Sequence, residues 1–533
     1  MSKISPDLSR RSALPVRIRT TLTFAGLLGM LACGGTGSPT LSTGGGGGGT
    51  GGGGGGGSQN VLPCTFAAPN AGGTTSGAGV GTTVSAQYFG MHVSAPNDPW
   101  PSSLIPNFQI GDQRLWDAGV AWSQINTSSG VYDWSGLDNW LSDDQMHGTD
   151  ALYNLARTPT WASSSPNDSS CTNADTNGSG QCDPPVDLNA DGSGSDDVWI
   201  GWVTAIAQHS QSKKSAGGTG ISYYEIWNEW NAPVFWNPAN STTPQLVRME
   251  QDARCVIEGP PAGKSCNPDS VFPDGTAIDP TAKIVSPSPV GAHSTLDAVA
   301  KNLSTYLQTQ VNGNPGGSFS DVIGFHGYVG TGTATSTSAV PCPVAEDVNT
   351  VIADMNSTLS SYSFASGKPL FNTEGGWSKA LYEGFTDEDE QAAFLPRYLL
   401  LQESANVSRV YWYLWDSNVL GALYDDSTGK ATKAATAYGE VSKWTVDATV
   451  SKACSANGTI WTCGFTRPSY SALAVWDAGQ DCTAASCPTT TFGVPSGGYI
   501  EYRDVAGNVT SMNGASSLQI GAKPILLETA PLP

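Results

Sequence analysis

The chain has 533 residues, more than one small core needs, so one or two domains with appendages are expected. Only 13% of its residues are charged and the formal net charge is -21. That balance argues against nucleic acid or an anionic membrane surface as a partner, and against strongly anionic polysaccharides as substrates.

At the N-terminus, Lys3, Arg10, Arg11, Arg17 and Arg19 precede an apolar run from Leu22 to Ala32, followed by Cys33. The run is too short to span a bilayer, and residues 1–32 read as a signal peptide. Leu28-Gly29-Met30-Leu31-Ala32-Cys33 resembles a bacterial lipobox, with Met30 where Leu is usual. That resemblance implies lipidation of Cys33 and a cell-envelope location; cleavage and release is the alternative. Residues 33–58 read as a linker, since Gly44 to Gly57 is all glycine except Thr50. Such a tract behaves as a coil of roughly 20 Å end to end.

Beyond Cys33 there are ten cysteines. Four pairs are close in sequence: Cys171/Cys182, Cys255/Cys266, Cys454/Cys463 and Cys482/Cys487. Cys64 and Cys342 remain, so five disulfides are expected, as in an oxidising compartment.

Short strand-like runs then alternate with helix-periodic segments. Strands are expected at Tyr88–Val93, Ile110–Trp116, Ala151–Ala156, Tyr223–Asn228, Ala282–Ser286, Val322–His326, Pro369–Glu374 and Arg409–Leu414. Helices are expected at Leu137–Met146, Val198–Gln211, Gln245–Ile257, Leu296–Gln310, Val344–Leu359, Asp389–Glu403 and Ala434–Trp444. This alternation predicts a (β/α)8 TIM barrel over residues 59–445, with its chemistry at the C-terminal ends of the strands. From about Val446 to residue 533, short alternating segments separated by Gly, Asn and Ser turns predict a small antiparallel β domain. Its role is either to buttress the barrel or to bind carbohydrate.

The fourth strand runs into Trp227-Asn228-Glu229-Trp230-Asn231. A carboxylate at a strand mouth, flanked by an amide and indoles, suits sugar chemistry. The carboxyl donates a proton to a glycosidic oxygen, the amide bonds a hydroxyl and the indoles stack on the ring. A second carboxylate is required across the scissile bond. Glu374 ends the seventh strand, before Gly375 and Gly376, which let a substrate approach the backbone closely. Carboxyls about 5 Å apart would mean retention, with Glu374 attacking the anomeric carbon and Glu229 protonating the leaving oxygen; a wider gap would mean inversion. Glu229 must then stay protonated, and a neighbouring ionised Glu374 favours that. Strict alternation would send Asn228 and Glu229 to opposite faces, so regular pairing has to stop near Asn228 for both to serve one sugar.

Ile226-Trp227-Asn228-Glu229 and Thr373-Glu374 resemble the paired signatures of clan A retaining glycoside hydrolases, most nearly family thirty-nine. Gly130-Val131-Tyr132-Asp133-Trp134-Ser135, Phe325-His326-Gly327-Tyr328 and Tyr411-Trp412 extend the likeness. Trp230 stands where Pro usually follows the acid/base, and Gly375 where Trp or Tyr is common. The resemblance implies that Glu229 is the acid/base, Glu374 the nucleophile and Asn228 a binder of the sugar 2-hydroxyl. Arg114 either holds Glu374 ionised or forms a surface salt bridge. His326 and Tyr328 are expected to orient the nucleophile. Trp412 is expected to floor the sugar subsite, with Trp415 a rival, Trp161 and Trp230 to line outer subsites, and His92 to bind substrate. Glu225 and Asp416 are expected to be structural.

Asp187-Leu188-Asn189-Ala190-Asp191-Gly192 has the oxygen spacing of a calcium loop but Val198 at its twelfth position, so either a structural Ca2+ or a self-ordered polar loop fits. No cofactor and no catalytic metal is expected. The sequence thus predicts an exported, monomeric retaining glycosidase acting on a plant or microbial polysaccharide or oligosaccharide. The alternative is a sugar-binding surface lipoprotein that kept the barrel without catalysis.

Overall fold

The computed structural model describes residues 62–532, apart from 71, 96–97, 106–107, 172–177, 268–275, 292–294, 331–336, 378–383 and 417–421. The leader, Cys33 and the glycine tract lie outside the described residues. Eight parallel strands form the central sheet: β1 (Phe89–Met91), β2 (Asp112–Leu115), β3 (Asp150–Leu155), β4 (Tyr223–Ile226), β5 (Lys283–Val285), β6 (Ile323–His326), β7 (Leu370–Gly375) and β8 (Val407–Trp412). Their order is β5-β4-β3-β2-β1-β8-β7-β6, and a parallel bridge from Val285 to Val322 joins the two ends into a barrel. Every strand expected from the sequence is present, within two residues or so at each end.

Almost every strand residue is buried, as in a parallel sheet covered by helices, but β2 (Asp-Gln-Arg-Leu) and β7 (Leu-Phe-Asn-Thr-Glu-Gly) bury polar side chains that pair with one another inside the barrel. Inside the barrel floor, Leu152, Val285, Val322, Phe371 and Tyr411 make an apolar plug. Arg409 lies over the rings of Tyr223 and Phe371, at 4.4 and 5.3 Å, and pairs with Asp112 and Asp150. Outside, seven helices follow the strands: α1 (Ser135–His147), α2 (Asp197–Ser215), α3 (Thr243–Ile257), α4 (Ala298–Gln308), α5 (Val348–Ser360), α6 (Glu388–Ser404) and α7 (Lys433–Thr445). In α4 the inward stripe is Val299, Leu303, Tyr306 and Leu307, the spacing of one helical face. Helix α6 starts on Asp387, whose carboxylate accepts from the backbone N–H groups of Asp389 and Glu390. Among the described residues between β1 and β2, the helical structure is a four-residue turn, Pro101–Leu104.

The C-terminal part is a mainly antiparallel sheet containing β9 (Thr449–Asn457), β10 (Ile460–Arg467), β11 (Tyr470–Asp477), β12 (Glu501–Asp504), β13 (Val509–Ser511) and β14 (Ile525–Glu528). Its outer edge beside β9 is Gly73–Thr74, from the far end of the chain, pairing with Ala456 and Ser455. The sheet shares one apolar cluster with the barrel, in which Val450, Trp461, Phe465 and Trp476 join Trp444 of α7. Polar ties cross the same seam: Trp476 Nε1 donates to Glu346 (2.8 Å), and Arg467 donates to the carbonyls of Trp444 and Val446 at 2.9 and 2.7 Å.

Four expected disulfides are present: Cys64–Cys342, Cys255–Cys266, Cys454–Cys463 and Cys482–Cys487. The fifth pairing, Cys171 with Cys182, involves a side chain outside the described residues. Among the described residues no helix is long and apolar enough to cross a membrane. The loop at Asp187–Gly192 is tied by its own turns, with Asp191 accepting from Ser193 and Asp187 from Ser195 Oγ and the Val198 N–H. Buried Arg248 of α3 donates to the carbonyls of Gly192, Gly194 and Ser195, so a guanidinium sits in the loop's carbonyl cradle.

Candidate active site

Regular pairing of β4 stops at Ile226, and the chain then breaks its own alternation. Trp227 takes a left-handed backbone (φ 62°), and so does Glu229 (φ 39°). A bulky residue held there costs about 1–3 kcal/mol, so the surroundings must impose it. Asn154 of β3 does part of this by donating to the Trp227 carbonyl (2.9 Å), while the Trp227 indole donates outward to the Phe235 carbonyl (2.7 Å). The indole is thereby held away from the cleft, and Asn228 and Glu229 both turn inward. Asn231, locked to the backbone of Val290 in both directions at 2.9 Å, holds the loop that follows.

On β7 the same result comes from a bulge. Asn372 pairs with Phe325 of β6 and Glu374 with His326, so two residues on one strand oppose one on the other. Thr373 and Glu374 therefore face the barrel interior together. The Thr373 hydroxyl meets Ser288 Oγ at 2.9 Å, and Ser288 in turn donates to Glu225.

The two carboxylates converge on His326. Its Nδ1 lies 2.9 Å from Glu229 Oε1 and 2.9 Å from Glu374 Oε2, and one oxygen of each glutamate lies within 4.8 Å of the other and of that nitrogen. Tyr328 donates to Glu374 Oε1 at 3.0 Å. Arg114, fully buried on β2, donates to Glu225 Oε2 (2.6 Å) and Asn228 Oδ1 (2.7 Å) and reaches Glu374 Oε2 at 3.5 Å. The surface salt bridge read as one option for Arg114 is thus not what the fold makes. Glu225 is structural, as expected, and fixes the guanidinium by also accepting from Asn154 (2.8 Å).

The electrostatics follow from this crowding. Burial pulls the pKa of His326 down, but the charges and hydrogen bonds of Glu374 and Glu229 outweigh it and the net shift is upward. Tyr328 is pushed well up, first by burial and then by Glu374, so it remains a donor. His92 at the end of β1 goes the other way, pushed down to about 3 by burial and by Arg114. It is a neutral imidazole whose Nε2 meets the Thr373 carbonyl at 3.0 Å.

The fold thus brings Glu229, Glu374, Asn228, Arg114, His326, Tyr328 and His92 together. Trp412 lies buried behind Gly376 with its ring edge-on to Trp377 at 4.9 Å, and Trp415 stacks on Tyr424. Trp230 packs against Tyr306 at 6.0 Å, whereas Trp161 is 37% exposed on an outer loop, its indole bonded to the Asn126 carbonyl. Asp416 accepts from Ser94 and the Ala95 N–H, which makes it a brace for the β1 loop. Tyr413 was not anticipated; it packs edge-on to His92 at 4.9 Å and donates to Asp117 at 2.8 Å. An aromatic run Tyr411-Trp412-Tyr413 was the only sequence signal for it.

Glu229, His326 and Glu374 are also close enough to ligate one cation. In the other two such clusters among the described residues, the cysteines are spent in disulfides.

No family model matches the sequence, and no curated protein matches it. Solved structures do resemble the fold. A glucosidase from Croceicoccus marinus superposes with a TM-score of 0.51 at 13% identity, covering 88% of this chain and 99% of that one. A GH30 endoxylanase from Clostridium papyrosolvens C71 gives 0.50 at 13% identity, covering 85% and 98%. A GH39 enzyme from Xanthomonas axonopodis pv. citri gives 0.48 at 15%, covering 87% and 98%. At these identities the likeness is one of fold.

Proposed function

We propose that the protein is an exported retaining glycoside hydrolase, with Glu374 as nucleophile and Glu229 as acid/base. One observation carries this reading: two buried carboxylates, delivered just past β4 and by β7, share His326 Nδ1 and bring one oxygen each within 4.8 Å of the other. Retaining enzymes hold the pair about 5 Å apart, leaving no room for the water that inversion needs between them. In the first step Glu374 attacks the anomeric carbon, the glycosidic C–O bond breaks and Glu229 gives its proton to the departing oxygen. In the second, Glu229 takes a proton from water, which displaces Glu374 from the sugar.

Tyr328 and Arg114 point N–H and O–H dipoles at Glu374 and favour its ionised form. Asn228, oriented by Arg114, faces the same cleft for a ring hydroxyl. The names of the similar structures, a glucosidase and an endoxylanase, make glucosides and xylosides the first substrates to try. The four disulfides support residence in an oxidising compartment, with Cys33 as a lipid anchor in our reading.

The test is Glu374→Ala on an aryl xyloside or aryl glucoside that the wild type turns over. Turnover should vanish, and external azide should restore it with a product of inverted configuration. Wild-type-like turnover by Glu374→Ala, or azide rescue with retained configuration, would overturn the assignment.

A further inference from the structure

Behind the bulge in β7 lies a buried polar knot that the two-carboxylate reaction does not by itself call for. Asn372 precedes Glu374 by two residues, yet the bulge leaves it facing α6 instead of the cleft. Its Oδ1 accepts from the Gly327 N–H at 2.9 Å. Its Nδ2 donates to Tyr398 Oη at 2.7 Å and to Gln402 Oε1 at 2.9 Å. Tyr398 completes the ring by donating to the Gly327 carbonyl at 2.7 Å. All three side chains are fully buried. Three such groups stay inside a protein at low cost only if each is satisfied, whereas apolar side chains would fill the same space without that demand.

The object of the knot is Gly327, held by both its N–H and its carbonyl. Gly327 separates His326 from Tyr328, the two residues that meet Glu374 at 2.9 and 3.0 Å. The Gly327 N–H also reaches the Glu374 carbonyl at 2.9 Å, so the clamp and the nucleophile share one frame. Room has been left for it. A Cβ at Gly327 would come within 2.6 Å of Asn372 Nδ2, and one at Gly375 would collide with Tyr398 Oη.

We propose that Asn372, Tyr398 and Gln402 are positioning residues that set the angle at which His326 and Tyr328 meet Glu374. The proposal rests on the reading of Glu374 as nucleophile. Tyr398→Phe keeps the ring and removes the hydroxyl that spans Asn372 and Gly327. On the same aryl glycoside, kcat should fall about tenfold to a hundredfold with KM changed by less than about twofold, the signature of a misaligned reacting group. The acid limb of the kcat/KM profile should move to higher pH, because the ionised nucleophile loses part of a hydrogen bond that favours its charge.

If Tyr398→Phe does not fold, Gln402→Leu, which leaves Asn372 Nδ2 one acceptor short, is read in the same way. A lowered melting temperature with wild-type kcat and an unmoved pH profile would make the knot a brace only and overturn the proposal. The two readings separate cleanly. Wild-type kcat in Tyr398→Phe beside an inactive Glu374→Ala sinks the positioning role alone, whereas an active Glu374→Ala sinks the nucleophile assignment beneath it.

Discussion

Arg114 divides one guanidinium among Glu225, Asn228 and Glu374, and none of the four is open to water. Removing one partner of a buried pair leaves the other charge uncompensated. Arg114→Met should therefore lower the unfolding free energy by about 3–5 kcal/mol, measured by denaturant titration, and adding Glu225→Gln should recover part of the loss. A double variant no more stable than Arg114→Met would mean that Glu225 is not the stranded charge. At this scale the sequence was most informative about carboxylates. Glu229 and Glu374 were legible because each ends a strand-like run beside residues suited to sugar. The partner of Arg114 was not, since Glu225 becomes its neighbour only through the register of strands β2 to β4. Asn372, Tyr398 and Gln402 gave no signal either, because a knot between a strand and a helix far apart in sequence has no spacing to read.

The eight strands and seven helices were legible for a plain reason: short apolar runs and helical periodicity alternate along most of the chain. What periodicity could not give is where alternation fails. The two failures are a left-handed Trp227 immediately after β4 and a bulge at Thr373 on β7, and they are what turn Glu229 and Glu374 toward each other. A need for the first was visible, since Asn228 and Glu229 could not otherwise share a cleft, but its means was not, because Trp is an unlikely residue for that backbone. Strand β9 carries little strand signal of its own: Thr-Val-Ser-Lys-Ala-Cys-Ser-Ala-Asn has few strand formers and several of its side chains face solvent. Its partner Gly73–Thr74 lies in a stretch rich in glycine and threonine, which gives no strand period to read.

Over the whole molecule, burial sets the response to pH. Glu258 and Glu403 are pushed up to about 8, Asp98 and Glu390 to about 7, and Asp183 and Asp347 to about 6. A carboxyl with a raised folded pKa contributes stability that is fully present below its unfolded value and is lost as pH rises through the folded one. The upward shift of His326 acts in the same sense. His92, held near 3, opposes it by favouring the unfolded state as pH falls below about 6.5. Six carboxyls outweigh one imidazole, and the charge of -21 adds self-repulsion at high pH. The melting temperature should fall between about pH 5.5 and 8.5; an equal or higher value at the alkaline end would contradict this account. Glu403→Gln should flatten part of that slope.

The edge strand Gly73–Thr74 has one more consequence, for how the chain comes into being. Residues 72–84 hydrogen-bond along β9 and its neighbours, from Gly72 with Gly458 to Val84 with Ala448, and Cys64 joins a cysteine 278 positions later. A polypeptide delivered N-terminus first presents this segment long before anything exists to receive it. Contacts of such sequence separation form late. A chain halted before Thr449 should therefore leave residues 72–84 open to protease, while full-length protein protects them; equal protection in the two would show another berth for the segment. The first part of the body to emerge is, on this topology, among the last to find its place.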